Sequence, residues 1–134
     1  MNAVHRAALR VSGGRIGREA RGMPVLELVT TGRRSGAARA VMLTSPMREG
    51  EAYVVVASRG GDDRHPAWFL NLRDDPRVQV AVAGGPRQPM LASIATPEER
   101  ARLWPHIAGS HQNYADYQKR TRREIPLVLL RPAV

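Results

Sequence analysis

The chain has 134 residues, a length that fits one domain with its own hydrophobic core. It contains no cysteine, which excludes disulfide frameworks and thiolate metal sites, and no apolar run approaches the roughly 18 residues that cross a membrane. Lysine and arginine number 21 against 12 acidic residues, so the net charge of +9 favours an anionic partner: nucleic acid, anionic lipid or an anionic ligand.

Residues 1–22 are the most basic segment, with five arginines and a Gly13-Gly14 pair. We expect a basic arm that is mobile or holds one short helix, followed by a single domain over 23–134. The arm lacks the continuous apolar region of a signal peptide, so a cytoplasmic location is expected. Its charge also leaves open a peripheral contact with anionic membrane lipids, at roughly 1 kcal/mol for each nearby arginine.

Six segments have the composition of β-strands. The run at 52–58 is almost continuously apolar, which predicts burial on both faces. The alternation in 77–83 places Val78, Val80 and Val82 on one face. The predicted strands are 24–31, 39–47, 52–58, 77–83, 89–95 and 125–132.

The first predicted helix covers 65–76. His65 is placed at its N-cap, Pro66 suits the first helical position and Pro76 ends it.

The second helix begins at Thr96, where Pro97 and Glu99 complete the signature of a capping box. Pro105 and Gly109 are expected to limit its length.

A third helix-compatible segment, 113–124, sets Tyr114 and Tyr117 three residues apart on one face. Short strands in this number, with two or three short helices, favour a mainly β, six-stranded antiparallel barrel.

The sequence offers little for metal or nucleophilic chemistry. The four histidines show no familiar metal-ligand spacing, so no metal site is predicted. The adjacent pairs Asp62-Asp63 and Asp74-Asp75 are interpreted as turn and cap residues.

An anion site is better supported. The Gly-bounded turn T-G-R-R-S-G presents Arg33 and Arg34, and Arg39 follows it. Guanidinium groups bind phosphate and carboxylate oxygens, often through two hydrogen bonds. The alternative is a solvated hairpin tip.

A second unusual stretch follows the buried strand. The Gly60-Gly61 pair allows close approach of the backbone, and a helix N-terminus at Pro66 presents free N–H groups. This stretch suits a flat, electron-rich ligand. The alternative is a plain strand-to-helix connection that places Trp68 and Phe69 in the core.

Six blocks in order resemble the deazaflavin-dependent nitroreductase family and cover roughly residues 23–132. They are T-G-R-R-S-G with Arg39, A-S-x-G-G, H-P-A-W-F-x-N-L, E-E-R-x-x-L-W, Y-x-x-Y-Q and R-x-I-P-L-V. The resemblance implies a split β-barrel that binds coenzyme F420, whose phosphodiester and oligoglutamate tail are anionic. It further implies hydride transfer from the reduced deazaflavin to an activated double bond, a quinone or a nitro group.

The resemblance also implies roles for individual residues. The phosphate and tail would be held by Arg33, Arg34, Ser35 and Arg39. The deazaflavin ring would lie beside Ala57, Ser58, Pro66, Ala67 and Trp68. The further cofactor-binding residues are Gly36, Met42, Gly60, Gly61, His65 and Asn71. The catalytic assignments are Ser58, Tyr114 and Tyr117.

The implied substrate pocket departs from the family pattern. It consists of Thr44, His111, Tyr114 and Tyr117. Thr44 and His111 stand where the family commonly has aromatic residues, so a wider or more polar pocket is expected.

Three other functions and one assembly remain open at this stage. A non-catalytic cofactor- or lipid-binding split barrel and an FMN-dependent reductase would share the fold. A nucleic-acid binder fits the charge but lacks surplus aromatic residues and any recognisable module, so no nucleic-acid partner is expected. A homodimer is compatible with a related barrel.

Overall fold

The computed structural model describes residues 19–133 except residue 21, so most of the predicted basic arm lies outside the described residues. Within that part the chain forms eight strands, three helices and a short 3-10 turn at Arg59–Gly61. The strands are β1 Glu19–Ala20, β2 Met23–Thr31, β3 Ala38–Thr44, β4 Met47–Glu49, β5 Ala52–Val56, β6 Arg77–Val82, β7 Arg87–Ile94 and β8 Leu127–Pro132. The helices are α1 Ala67–Asp74, α2 Pro97–Ser110 and α3 Gln112–Lys119.

The antiparallel sheet closes on itself through a corner between β3 and β4. Its order is β1-β2-β6-β7-β8-β5-β4, and β3 also pairs with β2. At the corner the buried Ser45 donates its backbone N–H to the carbonyl of Pro24 at 3.0 Å. Its hydroxyl donates to the carbonyl of Val54 at 2.8 Å, which ties both ends of the sheet together.

The predicted mainly β split barrel is confirmed, although six strands were expected. The difference has two sources. The predicted strand 39–47 breaks at the Ser45-Pro46 corner into β3 and β4, and the two-residue β1 lies in the segment assigned to the basic arm.

Strand β5 is buried on both faces, as predicted. Val55 packs into one apolar cluster with β2, β6 and the α1 side chains Trp68 and Phe69. Val54 and Val56 pack into a second cluster with α2 and α3. The barrel therefore has a core inside and a second core beneath two helices.

The predicted N-cap of α1 was wrong. The cap is Pro66, whose φ of −67° and ψ of 152° are extended, and the helix starts at Ala67. The Nδ1 atom of His65 instead lies 3.1 Å from Nη1 of Arg123. As predicted, α1 ends before Pro76.

Helix α2 has the predicted capping box, with Glu99 N–H donating to Thr96 Oγ1 at 3.2 Å. Pro105 does not limit the helix, which continues through Pro105 and Gly109 to Ser110. Leu103 and Ile107, each 1% exposed, anchor the turns on both sides of the proline. None of the three described helices has the length and apolarity needed to cross a membrane.

The adjacent residues Gly60 and Gly61 allow the cost of backbone strain to be compared with the cost of a steric clash. Gly60 and Gly61 have φ of 64° and 83°, but only at Gly61 would a Cβ atom meet a neighbour, lying 2.7 Å from the carbonyl oxygen of Tyr117. Gly60→Ala should cost about 1–2 kcal/mol in unfolding free energy, the cost of a left-handed conformation. Gly61→Ala should cost clearly more, because the 3-10 turn must move away from α3. Urea denaturation of both variants measures the difference, and equal losses would contradict this packing.

Candidate functional site

A cavity of about 1030 Å³ lies where β2 and β3 meet the start of α1. Five arginines line it, against a single carboxylate from Asp63. The remaining wall is largely apolar and includes Val41, Trp68 and Leu70. The cavity is therefore an open site with strong positive charge beside an apolar surface.

Nine of the residues predicted to bind the cofactor line this one cavity. They are Arg33, Arg34, Ser35, Arg39, His65, Pro66, Ala67, Trp68 and Asn71. The other six are outside its lining: Gly36, Met42, Ala57, Ser58, Gly60 and Gly61. Lining residues that were not predicted to bind the cofactor are Thr30, Gly32, Ala40, Val41, Arg59, Asp63, Arg64 and Leu70.

Arg59 and Arg64 are the consequential omissions, since they add charge to the site. A signal existed, because both flank the Gly60-Gly61-Asp62-Asp63 stretch already considered as a ligand cradle. Arg59 has a φ of 47°, which is unusual for a residue other than glycine.

The turn between β2 and β3 is rigidly built. Gly32 N–H donates to the carbonyl of Ala37 at 2.8 Å, and Gly36 N–H donates to the carbonyl of Gly32 at 2.8 Å. A Cβ atom on Gly32 would lie 2.8 Å from Ser35 Oγ and 3.2 Å from the Ala37 carbonyl, so a side chain there would force Ser35 and the turn to shift. Ser35 Oγ also accepts from Arg39 Nη2 at 3.4 Å. This turn, residues 32–37, is called the arginine turn below, and it holds Arg33 and Arg34 at the cavity.

Asn71 joins this turn to helix α1 and strand β2. It is 4% exposed, and its Oδ1 accepts from the Arg33 backbone N–H at 3.2 Å and from Arg33 Nη1 at 3.1 Å. Its Nδ2 donates to Thr30 Oγ1 at 3.2 Å. One buried amide therefore fixes both the backbone and the guanidinium of Arg33.

The opposite wall is held from outside by Arg123. Its guanidinium donates to the carbonyls of Asp62 at 2.8 Å, Ser58 at 2.9 Å and Ala57 at 3.2 Å. It also lies 3.1 Å from His65 Nδ1.

The pKa of His65 lies below its ordinary value of 6.5, first because of burial and then because of the charges of Arg123 and Arg73. A depressed folded-state pKa means that the unfolded chain binds the proton more tightly. Protonation of His65 therefore destabilises the fold as the pH falls below about 6.5.

The predicted substrate-pocket residues form a separate cluster beside the second core and do not line the cavity. The Tyr114 hydroxyl lies 2.9 Å from Thr44 Oγ1 and is only 5% exposed as a residue. Its ring meets the rings of His111 and Tyr117 edge to face, with centroids 6.1 and 6.0 Å apart. In the described part of the chain no three His, Asp or Glu side chains form a group that could hold a metal ion.

The profile of a protein family described as F420H(2)-dependent quinone reductase matches residues 2–132 of this sequence. The chain belongs to this family. Membership confirms the predicted enzyme class and identifies coenzyme F420 as the cofactor.

Individual relatives agree with this family assignment. The sequence is 41% identical over 131 residues to an F420H(2)-dependent quinone reductase of Mycobacterium tuberculosis, covering 95% of this chain and 87% of that protein. A solved F420-H2 dependent reductase has a TM-score of 0.69 at 36% identity, covering 80% of this chain and 93% of its own. A structure described as a domain-swapped dimer has a TM-score of 0.70 at 32% identity, covering 93% and 98%.

The residues around the cavity fit coenzyme F420. Its phosphodiester and oligoglutamate tail are anionic, and the arginines that line the cavity are suited to such groups. The apolar wall that includes Trp68 suits the flat deazaflavin ring.

Removal of the Asn71 amide should loosen the arginine turn. We expect Asn71→Ala to lower the unfolding free energy by about 1–3 kcal/mol, because buried partners lose their hydrogen bonds. Cofactor affinity should fall with it, since Arg33 is no longer held. The matched control is Asn113→Ala on α3, a partly exposed position. Calorimetry and cofactor titration of both variants measure the effect, and equal behaviour of the two would contradict the anchoring role.

Proposed function

We propose that this protein reduces a quinone with reduced coenzyme F420, which binds in the cavity between the arginine turn and α1. The observation that carries the proposal is the convergence of five arginines on one cavity that also has an apolar wall. When bound, the reduced coenzyme supplies a hydride to the acceptor. The protein supplies orientation and electrostatics.

Three arginines are free to hold the anionic part of the cofactor. In the described part of the chain Arg33, Arg34 and Arg39 have no acidic partner within ion-pair distance. Arg33 is fixed by Asn71, and Arg39 contacts Ser35. This pattern supports binding of phosphate and carboxylate oxygens, because no carboxylate of the described residues neutralises these three guanidinium groups.

The two tyrosines are proposed to serve the acceptor side in different ways. The Tyr114 hydroxyl is engaged by Thr44 and donates to Met23 Sδ at 3.7 Å, so it holds the cluster together. The Tyr117 hydroxyl has no hydrogen-bond partner in the described part of the chain, and its ring is only partly buried. Tyr117 is thus the better candidate to pass a proton to the reduced acceptor.

Ser58 remains a catalytic candidate at the end of the buried strand. It is buried, and its hydroxyl makes no hydrogen bond to another described residue. Ser58 lies outside the lining of the cavity, so its catalytic role stays a prediction from the sequence.

The acceptor proposed first is a quinone, as the family description indicates. Reduction of nitro groups or of activated double bonds stays a prediction from the sequence, as does contact between residues 1–22 and an anionic membrane. A homodimer is proposed from the relative described as a domain-swapped dimer.

The arginine turn should determine both affinity and cofactor choice. Charge-assisted hydrogen bonds contribute about 1.5–3 kcal/mol each, so Arg33→Ala with Arg34→Ala should weaken F420 binding by roughly a hundredfold or more. Arg122→Ala with Arg131→Ala, at two exposed positions, should leave binding unchanged and controls for net charge. Fluorescence titration with F420 and with FMN measures this. Tighter binding of FMN than of F420 by the unmodified protein would favour the FMN-dependent alternative.

Phenylalanine substitutions at the two tyrosines should differ in effect, one changing turnover and the other changing stability. Tyr117→Phe should lower the rate of quinone reduction severalfold or more, with melting temperature and F420 affinity nearly unchanged, because only a proton route is lost; general-acid contributions of about 10²–10⁴ set the upper end. Tyr114→Phe should lower the unfolding free energy by about 0.5–1.5 kcal/mol, because its hydroxyl is engaged. Steady-state rates at saturating reduced cofactor decide the matter. Unchanged rates in Tyr117→Phe would remove this residue from the reaction.

A further inference from the structure

The contact between Arg123 and His65 determines which ring nitrogen of the histidine carries the proton. A guanidinium group has only donors, so His65 Nδ1 must accept the hydrogen bond from Arg123 Nη1 at 3.1 Å. A ring nitrogen that accepts a hydrogen bond carries no proton. The imidazole of His65 is therefore neutral, and its single proton is on Nε2.

The remaining ring nitrogen faces no competing partner. In the described part of the chain Nε2 of His65 makes no hydrogen bond, whereas the residue itself lines the cavity. Its ring packs on Phe69 with centroids 4.7 Å apart, which limits ring rotation. The Nε2–H group is thus an unused donor on a ring that borders the cavity.

Arg123 is itself held in place by two helices. Gln118 on α3 donates from Nε2 to the carbonyl of Arg123 at 2.8 Å and accepts from the Ile125 N–H at 2.9 Å. Arg100 on α2 donates to the same Gln118 oxygen at 3.3 Å and to the carbonyl of Ile125. Arg100 belongs to the sequence block E-E-R-x-x-L-W, Gln118 to Y-x-x-Y-Q, and Arg123 with Ile125 to R-x-I-P-L-V. None of these four residues was assigned a role from the sequence.

We infer that Arg123 is a positioning residue that fixes His65 as the neutral Nε2–H tautomer, and that this N–H donates to an oxygen or nitrogen acceptor of the ligand in the cavity. The donor role rests on the proposed function, whereas the tautomer is a property of the protein alone. The same guanidinium fixes the carbonyls of Ala57, Ser58 and Asp62, so it holds the whole segment that leads to His65.

The charges around His65 agree with a neutral ring. Arg123 approaches it from the segment before β8, and Arg73 acts from α1. Arg59 and Arg64 line the same cavity, and the acids nearby are Asp62 and Asp63, whose charges act on Arg123. The charges of Arg123 and Arg73 both lower the pKa of His65.

The first test is nitrogen-15 NMR of the histidine rings in the cofactor-free protein, with His65→Gln used for assignment. We expect the Nε2–H tautomer and a titration midpoint below 6.5. In Arg123→Gln the midpoint should rise and the tautomers should mix, whereas Arg123→Lys should restore the low midpoint in part. Arg122→Gln is the matched control at an exposed neighbour. An Nδ1–H tautomer in the unmodified protein would overturn the inference.

The second test is F420 affinity in two variants of His65. Glutamine can place an amide N–H close to the position of Nε2–H, so His65→Gln should bind nearly as well as the unmodified protein. His65→Leu should bind about tenfold more weakly or worse, the loss expected for one hydrogen bond. Equal affinity in both variants, at unchanged melting temperature, would overturn the donor role. Failure of the unmodified protein to bind F420 would instead overturn the proposed function and leave the tautomer measurement standing.

Discussion

Hydrogen bonding along both edges of β2 is the constraint on which this structure depends. The strand pairs with β3 from Val25 to Thr31 and with β6 from Leu26 to Val29. The β2–β3 register sets Arg39 opposite Thr30, next to the Asn71 contact. A slip of one residue would turn every side chain of β3 to the other face of the sheet. The position of the arginine turn at the cavity is therefore a consequence of strand register.

Local signals in the sequence predicted most of the barrel. Apolar runs and alternation located the strands, and the Thr96 capping box located α2. The errors came where tertiary contacts outweighed local preference. Pro105 lies inside a helix because Leu103 and Ile107 anchor the turns around it, and His65 is not a cap because Arg123 engages its ring.

The candidate site was predicted to a similar extent. The Gly-bounded turn and the H-P-A-W-F stretch are local patterns, and their residues do meet at one cavity. Arg123 carries no local signal of its role, because its partner His65 lies 58 positions earlier in the chain. Periodicity and capping rules describe neighbours along the chain, so they cannot find such a contact.

The net charge of +9 is best understood through its distribution. Several arginines outside the cavity have a carboxylate partner: Arg77 with Asp75, Arg87 with Glu27, Arg102 with Glu49 and Arg131 with Glu99. Arg33 and Arg34 at the β2–β3 turn, and Arg39 on β3, have none among the described residues. Five arginines and one aspartate line the cavity, so an anionic cofactor would meet a net positive charge there. Five further arginines lie in residues 1–22, so the cavity accounts for only part of the net charge.

The order in which the ribosome makes this chain bears on when the coenzyme can bind. Strand β8 lies between β7 and β5 in the sheet, and both it and Arg123 are synthesised after every residue that lines the arginine-rich cavity. A nascent chain that has exposed those residues still lacks the closing strand and the brace on His65. Chains are folded domain by domain as they emerge, so this domain must wait for its C-terminal strand. The complete coenzyme site would therefore form only after translation has passed β8.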